Sequence, residues 1–132
     1  MTGIMNETRP ALAGELESLC ARWSERTGIA VELWALPAGQ VAEPLARGVL
    51  TVVREALANI ERHSAATTAS LAVTAGPTGV RLTVSDNGRG FATARPGGGT
   101  TRMRQAVTAL GGRLSVHGVP GEGVTVTGVI LT

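Results

Sequence analysis

Two stretches of the 132-residue sequence decide the fold: Arg54–His63, which reads REALANIERH, and Asp86–Phe91, which reads DNGRGF. In the first stretch, apolar residues recur at the spacing of an amphipathic helix, and this pattern extends back to about Val41. The second stretch follows a run of alternating apolar and polar residues. It begins with an acid, and two of the next four residues are glycines. The sequence therefore predicts a long helix and, after it, a strand that ends on an aspartate.

Three polar residues lie along one edge of this helix. Glu55, Asn59 and His63 follow one another at four-residue steps, so their side chains project from nearly the same side. The apolar stripe lies next to them and comprises Leu45, Val49, Val53, Ala56, Leu57 and Ile60. The polar residues thus lie on the shoulder between core and solvent, where most polar side chains are simply solvated. The helix pattern alone leaves solvation and ligand binding both open.

Asp86 is the only aspartate in the chain. It continues a strand in which alternate residues are apolar and point to one face: Val80, Leu82 and Val84. By this parity the carboxylate of Asp86 faces the covered side of the sheet, where it needs a hydrogen-bond donor. Gly88 and Gly90 leave room for a flat ring to approach the backbone. The alternative is that Asp86 only caps the turn after its strand.

The remaining periodicities complete the set of predicted elements. Helices are expected at about Pro10–Arg26, Val41–His63 and Met103–Leu110, with Gly28 and Gly111-Gly112 as terminators. Strands are expected at about Ile29–Leu36, Ala69–Ala75, Gly79–Asp86, Leu114–His117 and Val124–Leu131. Tight turns at 76–79 and 120–123 predict two hairpins.

These elements predict an α+β fold that occupies residues 1–132 as a single domain. We expect a two-layer α/β sandwich with a mixed, mostly antiparallel sheet and helices on one face. Residues 1–10 are expected to be disordered or a linker. Ala92–Gly98 has no periodicity and is rich in glycine and proline, so we expect a short lid there.

Composition excludes several classes of protein. A hydrophobic content of 43% with only 17% charged residues argues against disorder. No apolar run approaches the roughly 18 to 20 residues that span a bilayer, and the N-terminus does not resemble a signal peptide. The single cysteine, Cys20, excludes an internal disulfide and is expected to pack in a helix. The two histidines have no convincing zinc spacing.

All twelve basic residues are arginines, and the sequence contains no lysine. A phosphate-binding loop of the Gly-Lys-Ser type and a Schiff-base lysine are therefore both impossible. The arginines are scattered, and the aromatic residues are only Trp23, Trp34 and Phe91. Because neither a basic stripe nor a stacking platform is visible, we expect no nucleic-acid partner.

A glycine run precedes the third predicted helix. Gly97, Gly98 and Gly99 would present free backbone N–H groups at a helix N-terminus, where phosphate oxygens bind readily. Such a run is also common in flexible loops. Both interpretations stay open at this level.

Taken together, the motifs resemble those of the ATP-binding domain of sensor histidine kinases, which belongs to the group shared with gyrase, Hsp90 and MutL. The resemblance is carried by Glu-x-x-x-Asn with a basic residue after it, two strands, Asp-x-Gly-x-Gly-Phe and a glycine cluster before a helix. It extends from about Ala11 to Thr132. The stretches REALANIERHSAA and MRQAVTALGGRLSVHGVPGEGVTV resemble most the branch that pairs with nitrate-response-type regulators. The resemblance implies a Bergerat-type ATP-binding fold.

The resemblance also implies roles for the helix residues. Asn59 would coordinate a Mg²⁺ ion that bridges the phosphates of ATP. Glu55 would act as a base or orient water near the metal, and Arg62 or His63 would face phosphate. Magnesium favours oxygen ligands and retains water, so one asparagine together with phosphates is chemically adequate.

At the other end of the implied site, Asp86 would accept a hydrogen bond from the adenine amino group. Gly88 and Gly90 would make room for the ring, and Phe91 completes that motif. The phosphate end of the implied site is the glycine run and the residue after it: Gly97, Gly98, Gly99 and Thr100.

The chain departs from the pattern of its relatives at three positions. Thr100 replaces the customary leucine of the third motif, Arg102 replaces that motif's third glycine, and Val124 stands where a threonine is usual. These changes support one alternative, a nucleotide-inert interaction module that has kept the fold.

The phosphoacceptor that the resemblance implies is absent from this sequence. In such kinases the phosphorylated histidine lies on a separate helical hairpin, in a His-Asp or His-Glu setting that neither His63 nor His117 has. We therefore expect ATP binding without self-phosphorylation. The expected partners are a histidine-bearing dimerisation domain of a parent kinase and, indirectly, a response regulator.

No direct membrane contact is expected, and the expected location is the cytoplasm, including the cytoplasmic part of a membrane-bound sensor. A stand-alone anti-sigma-factor serine kinase is the nearest alternative, since such kinases share the first two motifs and have a similar length.

Overall fold

A computed structural model of the chain describes residues 11–63, 65–88 and 99–131, apart from the side chain of His63. Three helices and five strands occur within these residues, in the order α1 (Leu12–Thr27), β1 (Ala30–Ala35), α2 (Glu43–His63), β2 (Thr68–Gly76), β3 (Gly79–Asp86), α3 (Gly99–Thr108), β4 (Arg113–Val119) and β5 (Gly123–Leu131). The expected α+β class is therefore confirmed. The proposed N-terminal linker and the proposed lid at 92–98 lie outside the described residues.

The five strands form one sheet in the order β1-β2-β3-β5-β4. β1 pairs with β2 in parallel, and the other three pairs are antiparallel. The pairing of Gly76 with Gly79 and of Val119 with Gly123 shows the two tight hairpins that the sequence predicts. The sheet is thus mixed and mostly antiparallel, as expected.

One face of the sheet is apolar and packs against the helices. The strand residues buried on this face are Ala69, Leu71, Val73, Val80, Leu82, Val84, Leu114, Val126 and Ile130. The alternate residues of β2 and β3, including Ser70 and Thr83, point to the opposite face and are not fully buried. Helices on one face and a polar opposite face make the two-layer sandwich that the sequence predicts.

The long helix α2 is the centre of the helical layer. Val49, Val52 and Val53 are 0% exposed, because the apolar stripe of α2 faces the sheet and the neighbouring helices. The helix begins at Glu43, two residues after the predicted start. Pro44 is tolerated there because the first turn of a helix has no intrahelical acceptor for its N–H groups.

Helix α3 begins at Gly99, one turn earlier than the predicted start at Met103. The prediction placed the start at the first apolar residue, whereas the first turn of α3 is polar. At its other end Gly111 is left-handed, with φ +78°, and its N–H bonds the Thr108 carbonyl at 2.9 Å. The Gly112 N–H bonds the Val107 carbonyl at 2.9 Å, which completes a Schellman motif and confirms the predicted glycine stop.

The apolar side of α1 is buried as predicted, through Leu12, Leu16, Cys20 and Trp23. Burial raises the pKa of the Cys20 thiol to about 11, which fits a packing role for this cysteine. Among the described residues, none of the helices has the length and apolarity that crossing a membrane requires.

Candidate nucleotide site

The polar edge of α2 lies at the border of the core, as the helical pattern predicts. Glu55 and Asn59 are half-buried, while the adjacent Ala56 and Ile60 are buried. Both polar residues are held by arginines. The guanidinium of Arg62 donates a hydrogen bond of 2.7 Å to the Asn59 side-chain oxygen, and a guanidinium nitrogen of Arg102 lies 3.5 Å from the Glu55 carboxylate. Each oxygen acceptor of the polar edge therefore has an arginine beside it.

The contact between Arg102 and Glu55 joins two helices. Arg102 lies in the first turn of α3, and Glu55 lies in the middle of α2. The Glu55 side chain is 21% exposed and that of Arg102 is 74% exposed. The N-terminal turn of α3, and with it Gly99 and the half-buried Thr100, is thereby placed beside the polar edge of α2.

Asp86 lies at the end of β3 on the face covered by the helices. Its partner across the antiparallel ladder is Ala69, which is 1% exposed, and directly opposed residues share a face. Burial raises the pKa of the Asp86 carboxyl, and hydrogen bonds from the backbone N–H groups of Gly88 and Val124 oppose that shift. Asp86 thus faces the covered side of the sheet, as strand parity predicts.

The local cap that the sequence left as an alternative is also present. The Gly88 N–H donates a hydrogen bond of 2.7 Å to the Asp86 carboxylate. This bond does not exhaust the carboxylate, because its two oxygens offer about four acceptor directions. Capping and ligand binding are thus compatible at Asp86.

Two neighbours of Asp86 were not predicted as site residues. The first is Gly123, at the start of β5. A Cβ atom built on it would lie 2.0 Å from the Asp86 carbonyl oxygen and 3.2 Å from its carboxylate oxygen. In the sequence, Gly123 is indistinguishable from any other turn glycine, because the contact depends on the pairing of β3 with β5.

The second unpredicted neighbour is Asn87. Its side-chain oxygen accepts hydrogen bonds of 3.0 Å from the backbone N–H groups of Thr67 and Thr68. Its amide nitrogen donates to the Thr67 hydroxyl at 2.9 Å. Asn87 therefore fastens the end of β3 to the start of β2 and holds the backbone next to Asp86.

The remaining predicted site residues divide into two groups. Gly88 is described and buried. Gly90, Phe91, Gly97 and Gly98 lie outside the described residues, as does the side chain of His63. Within the described residues, no three His, Cys, Asp or Glu side chains converge as a metal cluster. On the polar edge of α2, the oxygen ligands are the Asn59 amide and the Glu55 carboxylate, which suits a cation that takes its other ligands from phosphate and water.

The chain matches known proteins over most of its length. A family described as "Histidine kinase-, DNA gyrase B-, and HSP90-like ATPase" matches residues 45–131. The sensor histidine kinase MctS of Rhizobium johnstonii is 32% identical over 113 residues, which are 80% of this chain and 24% of that protein. The nitrate/nitrite sensor protein NarX of Escherichia coli K12 is 38% identical over 84 residues, which are 63% of this chain and 14% of that protein.

A solved structure agrees in fold. The blue-light activated histidine kinase of Erythrobacter litoralis EL346 superimposes with a TM-score of 0.75 and 24% identity, over 91% of this chain and 41% of that chain. The chain thus spans a quarter or less of the two curated relatives by length, since it covers 24% and 14% of them. The chain belongs to the family of histidine kinase-, DNA gyrase B- and HSP90-like ATPases, and it is similar in sequence to the sensor histidine kinase MctS and the sensor protein NarX.

Proposed function

We propose that this domain binds Mg-ATP between the polar edge of α2 and the end of β3, and presents the γ-phosphate to a histidine on a separate dimerisation domain. In this proposal Asp86 recognises adenine, and the residues of α2 and of the first turn of α3 surround the phosphates. A response regulator would then take the phosphoryl group from the histidine.

The position of Asp86 is the observation that supports this proposal most. A carboxylate on the covered face of a sheet is unfavourable unless donors compensate it. Two backbone N–H groups stabilise its charged form, and spare acceptor directions remain. Adenine carries an amino donor at the position where guanine carries a carbonyl acceptor, so an ionised Asp86 would select ATP over GTP.

The side chains on α2 fit the phosphate end of a nucleotide. The amide oxygen of Asn59 would hold a magnesium ion, and the Arg62 guanidinium would donate hydrogen bonds to phosphate oxygens. Arg62 already donates to Asn59 at 2.7 Å, so both groups lie within reach of one ligand. When bound, magnesium would neutralise phosphate charge and fix the geometry of the triphosphate.

Glu55 would hold a water molecule or remove a proton at the phosphate end. Its carboxylate is 21% exposed, and a partly desolvated acid interacts more strongly with a nearby proton donor than an exposed acid does. The glycines around the third motif would add backbone N–H groups. Gly99 supports this, because it is the first residue of α3 and its N–H has no acceptor inside the helix.

The acceptor is proposed from the relatives, since both curated relatives are sensor proteins and one is named a histidine kinase. This favours histidine over serine as the acceptor. We place the domain in the cytoplasm, where ATP is available, either alone or as part of a membrane-bound sensor.

Transfer of labelled phosphate tests the proposal. The domain is mixed with [γ-³²P]ATP, magnesium and a dimerisation hairpin from a related sensor kinase, and in parallel with an anti-sigma antagonist. We expect label on the hairpin that is lost in acid and kept in alkali, as for phosphohistidine. Acid-stable label on the antagonist would instead establish the serine kinase alternative. An absence of ATP binding would support the inert module.

A further inference from the structure

Arg102 carries a positive charge that has a partner inside the candidate site. The guanidinium of Arg102 lies 3.5 Å from the carboxylate of Glu55. The contact joins the first turn of α3 to the polar edge of α2. It brings a fixed positive charge to the phosphate end of the proposed nucleotide site.

The backbone of Arg102 is held firmly while its side chain is accessible. The next residue, Met103, and Val107 one turn later are both 0% exposed and fix α3 against the core. The Arg102 side chain itself is 74% exposed. Its guanidinium can therefore change partners without any movement of the helix.

The present partner of Arg102 is a weak one. At 3.5 Å, the contact with Glu55 is longer than the 2.7 Å contact between Arg26 and Glu61. The Arg26–Glu61 pair, in addition, has two hydrogen bonds. The arginine of this pair is largely exposed to solvent, and ion pairs that solvent can reach contribute little to stability. A polyphosphate carries several negative charges and matches the fork of a guanidinium, so it is a stronger partner than one carboxylate.

We infer that Arg102 is a phosphate-binding residue that rests on Glu55 until a nucleotide is bound and then transfers to the terminal phosphates. This inference rests on the proposed function, since it assigns a residue to the same nucleotide site. Transfer of the guanidinium also releases the Glu55 carboxylate. Arg102 therefore favours nucleotides with more phosphates, and Glu55 competes with the nucleotide for the Arg102 guanidinium.

The test uses calorimetric titration of Mg-ATP, Mg-ADP and adenosine into the wild-type domain and into Arg102→Gln. Loss of one charged phosphate contact should weaken ATP binding roughly tenfold and leave adenosine binding unchanged. Arg102→Lys should restore part of the affinity for ATP, because it keeps the charge but not the fork.

A matched control is provided by Arg47. It lies 3.4 Å from Glu43 in an exposed pair on α2, and its side chain is 76% exposed. Arg47→Gln removes the same charge away from the candidate site, so it should leave ATP affinity unchanged. Comparison of Arg47→Gln with Arg102→Gln therefore separates a local effect at the site from a general effect of net charge on ATP binding.

A second measurement tests the exchange of partners. Glu55→Gln should strengthen ATP binding in the wild-type background by freeing Arg102, and should have a much smaller effect in the Arg102→Gln background. Independent, additive effects of the two substitutions would overturn the inference.

The outcomes separate the inference from the proposed function. If wild-type protein binds ATP and Arg102→Gln binds it equally well, Arg102 is only a surface charge and the inference is wrong. Equal weakening of ATP and adenosine would show a structural role and would also overturn it. If wild-type protein binds neither ligand, the proposed function fails and the inference fails with it.

Discussion

Gly123 lies directly against Asp86, so close that any side chain at position 123 would meet the Asp86 backbone. A Cβ atom there would be 2.0 Å from the Asp86 carbonyl oxygen and 2.9 Å from its carbonyl carbon. The φ angle of Gly123 is +105°, which other residues rarely adopt. The absence of a side chain at Gly123 therefore allows β5 to pack directly against Asp86, the proposed adenine-binding residue.

Gly123→Ala should both destabilise the domain and disturb adenine binding. Backbone strain and displacement of Asp86 should together lower the free energy of unfolding by about 2 kcal/mol or more. Urea unfolding and ATP titration measure the two effects. Gly121→Ala is the control, because Gly121 also has a positive φ, +80°, but no described atom lies within 4 Å of an added Cβ. Equal effects of the two substitutions would show that the contact with Asp86 is unimportant.

Asp86→Asn should reduce ATP affinity by at least roughly tenfold and reduce the preference for ATP over GTP, since the amide is neutral and presents a donor where an acceptor is needed. Titration with both nucleotides measures this. Glu122→Gln is the control, because it removes a carboxylate from the exposed turn between β4 and β5. Unchanged discrimination between ATP and GTP in Asp86→Asn would contradict the role of Asp86.

The pH dependence of stability provides a further test of the environment of Asp86. Its pKa is raised above the ordinary value of 3.8, so the folded state binds the proton more tightly than the unfolded state does. The free energy of unfolding of the nucleotide-free domain should therefore fall as pH rises from 3.8 through the folded-state pKa. Asp86→Asn lacks this dependence. Denaturation curves at several acidic pH values should show wild type losing stability relative to the variant as pH rises. A gain would mean that the pKa is lowered.

Asn59→Ala should weaken ATP binding more in the presence of magnesium than in its absence, because the lost amide oxygen is the proposed metal ligand. Titrations with magnesium and with EDTA measure the difference. Gln40→Ala, at an exposed position before α2, removes an amide without touching the site and should change neither titration. Equal losses with and without magnesium would exclude Asn59 as a ligand.

Asn87→Ala should lower the free energy of unfolding by about 1 to 2 kcal/mol, because three hydrogen bonds between the ends of β2 and β3 are lost. Asn87→Asp keeps the acceptor for the two backbone N–H groups and should lose less. Thermal unfolding of both variants measures this. If the two variants are equally stable, the backbone contacts to Asn87 do not support the strand end.

The parts of the site that the sequence predicts are those encoded within one element. Glu55 and Asn59 follow from helical spacing, and the direction of Asp86 follows from strand parity. The five strands and the two hairpins likewise follow from alternation and turn residues, but the order of the strands in the sheet was not predicted. Helix α3 is the exception, because its polar first turn has no apolar periodicity and the start predicted from the sequence lies one turn too late.

The parts that were not predicted depend on contacts between distant segments. Asn87 bonds Thr67 across 20 positions, and Gly123 contacts Asp86 only because β3 pairs with β5. In the sequence, Arg102 is only a departure from the expected glycine motif. The packing of α3 beside α2 shows that its guanidinium lies near Glu55. Local periodicity contains no information on such pairs.

Calorimetric titration of Mg-ATP into the isolated domain tests the central claim most directly. We expect saturable binding at one site. In a parallel melting experiment, ATP at about a hundred times its Kd should raise the free energy of unfolding by roughly 2.7 kcal/mol. Both effects should be strongly reduced in Asp86→Asn. An absence of binding heat and of thermal stabilisation at millimolar ATP would contradict the central claim.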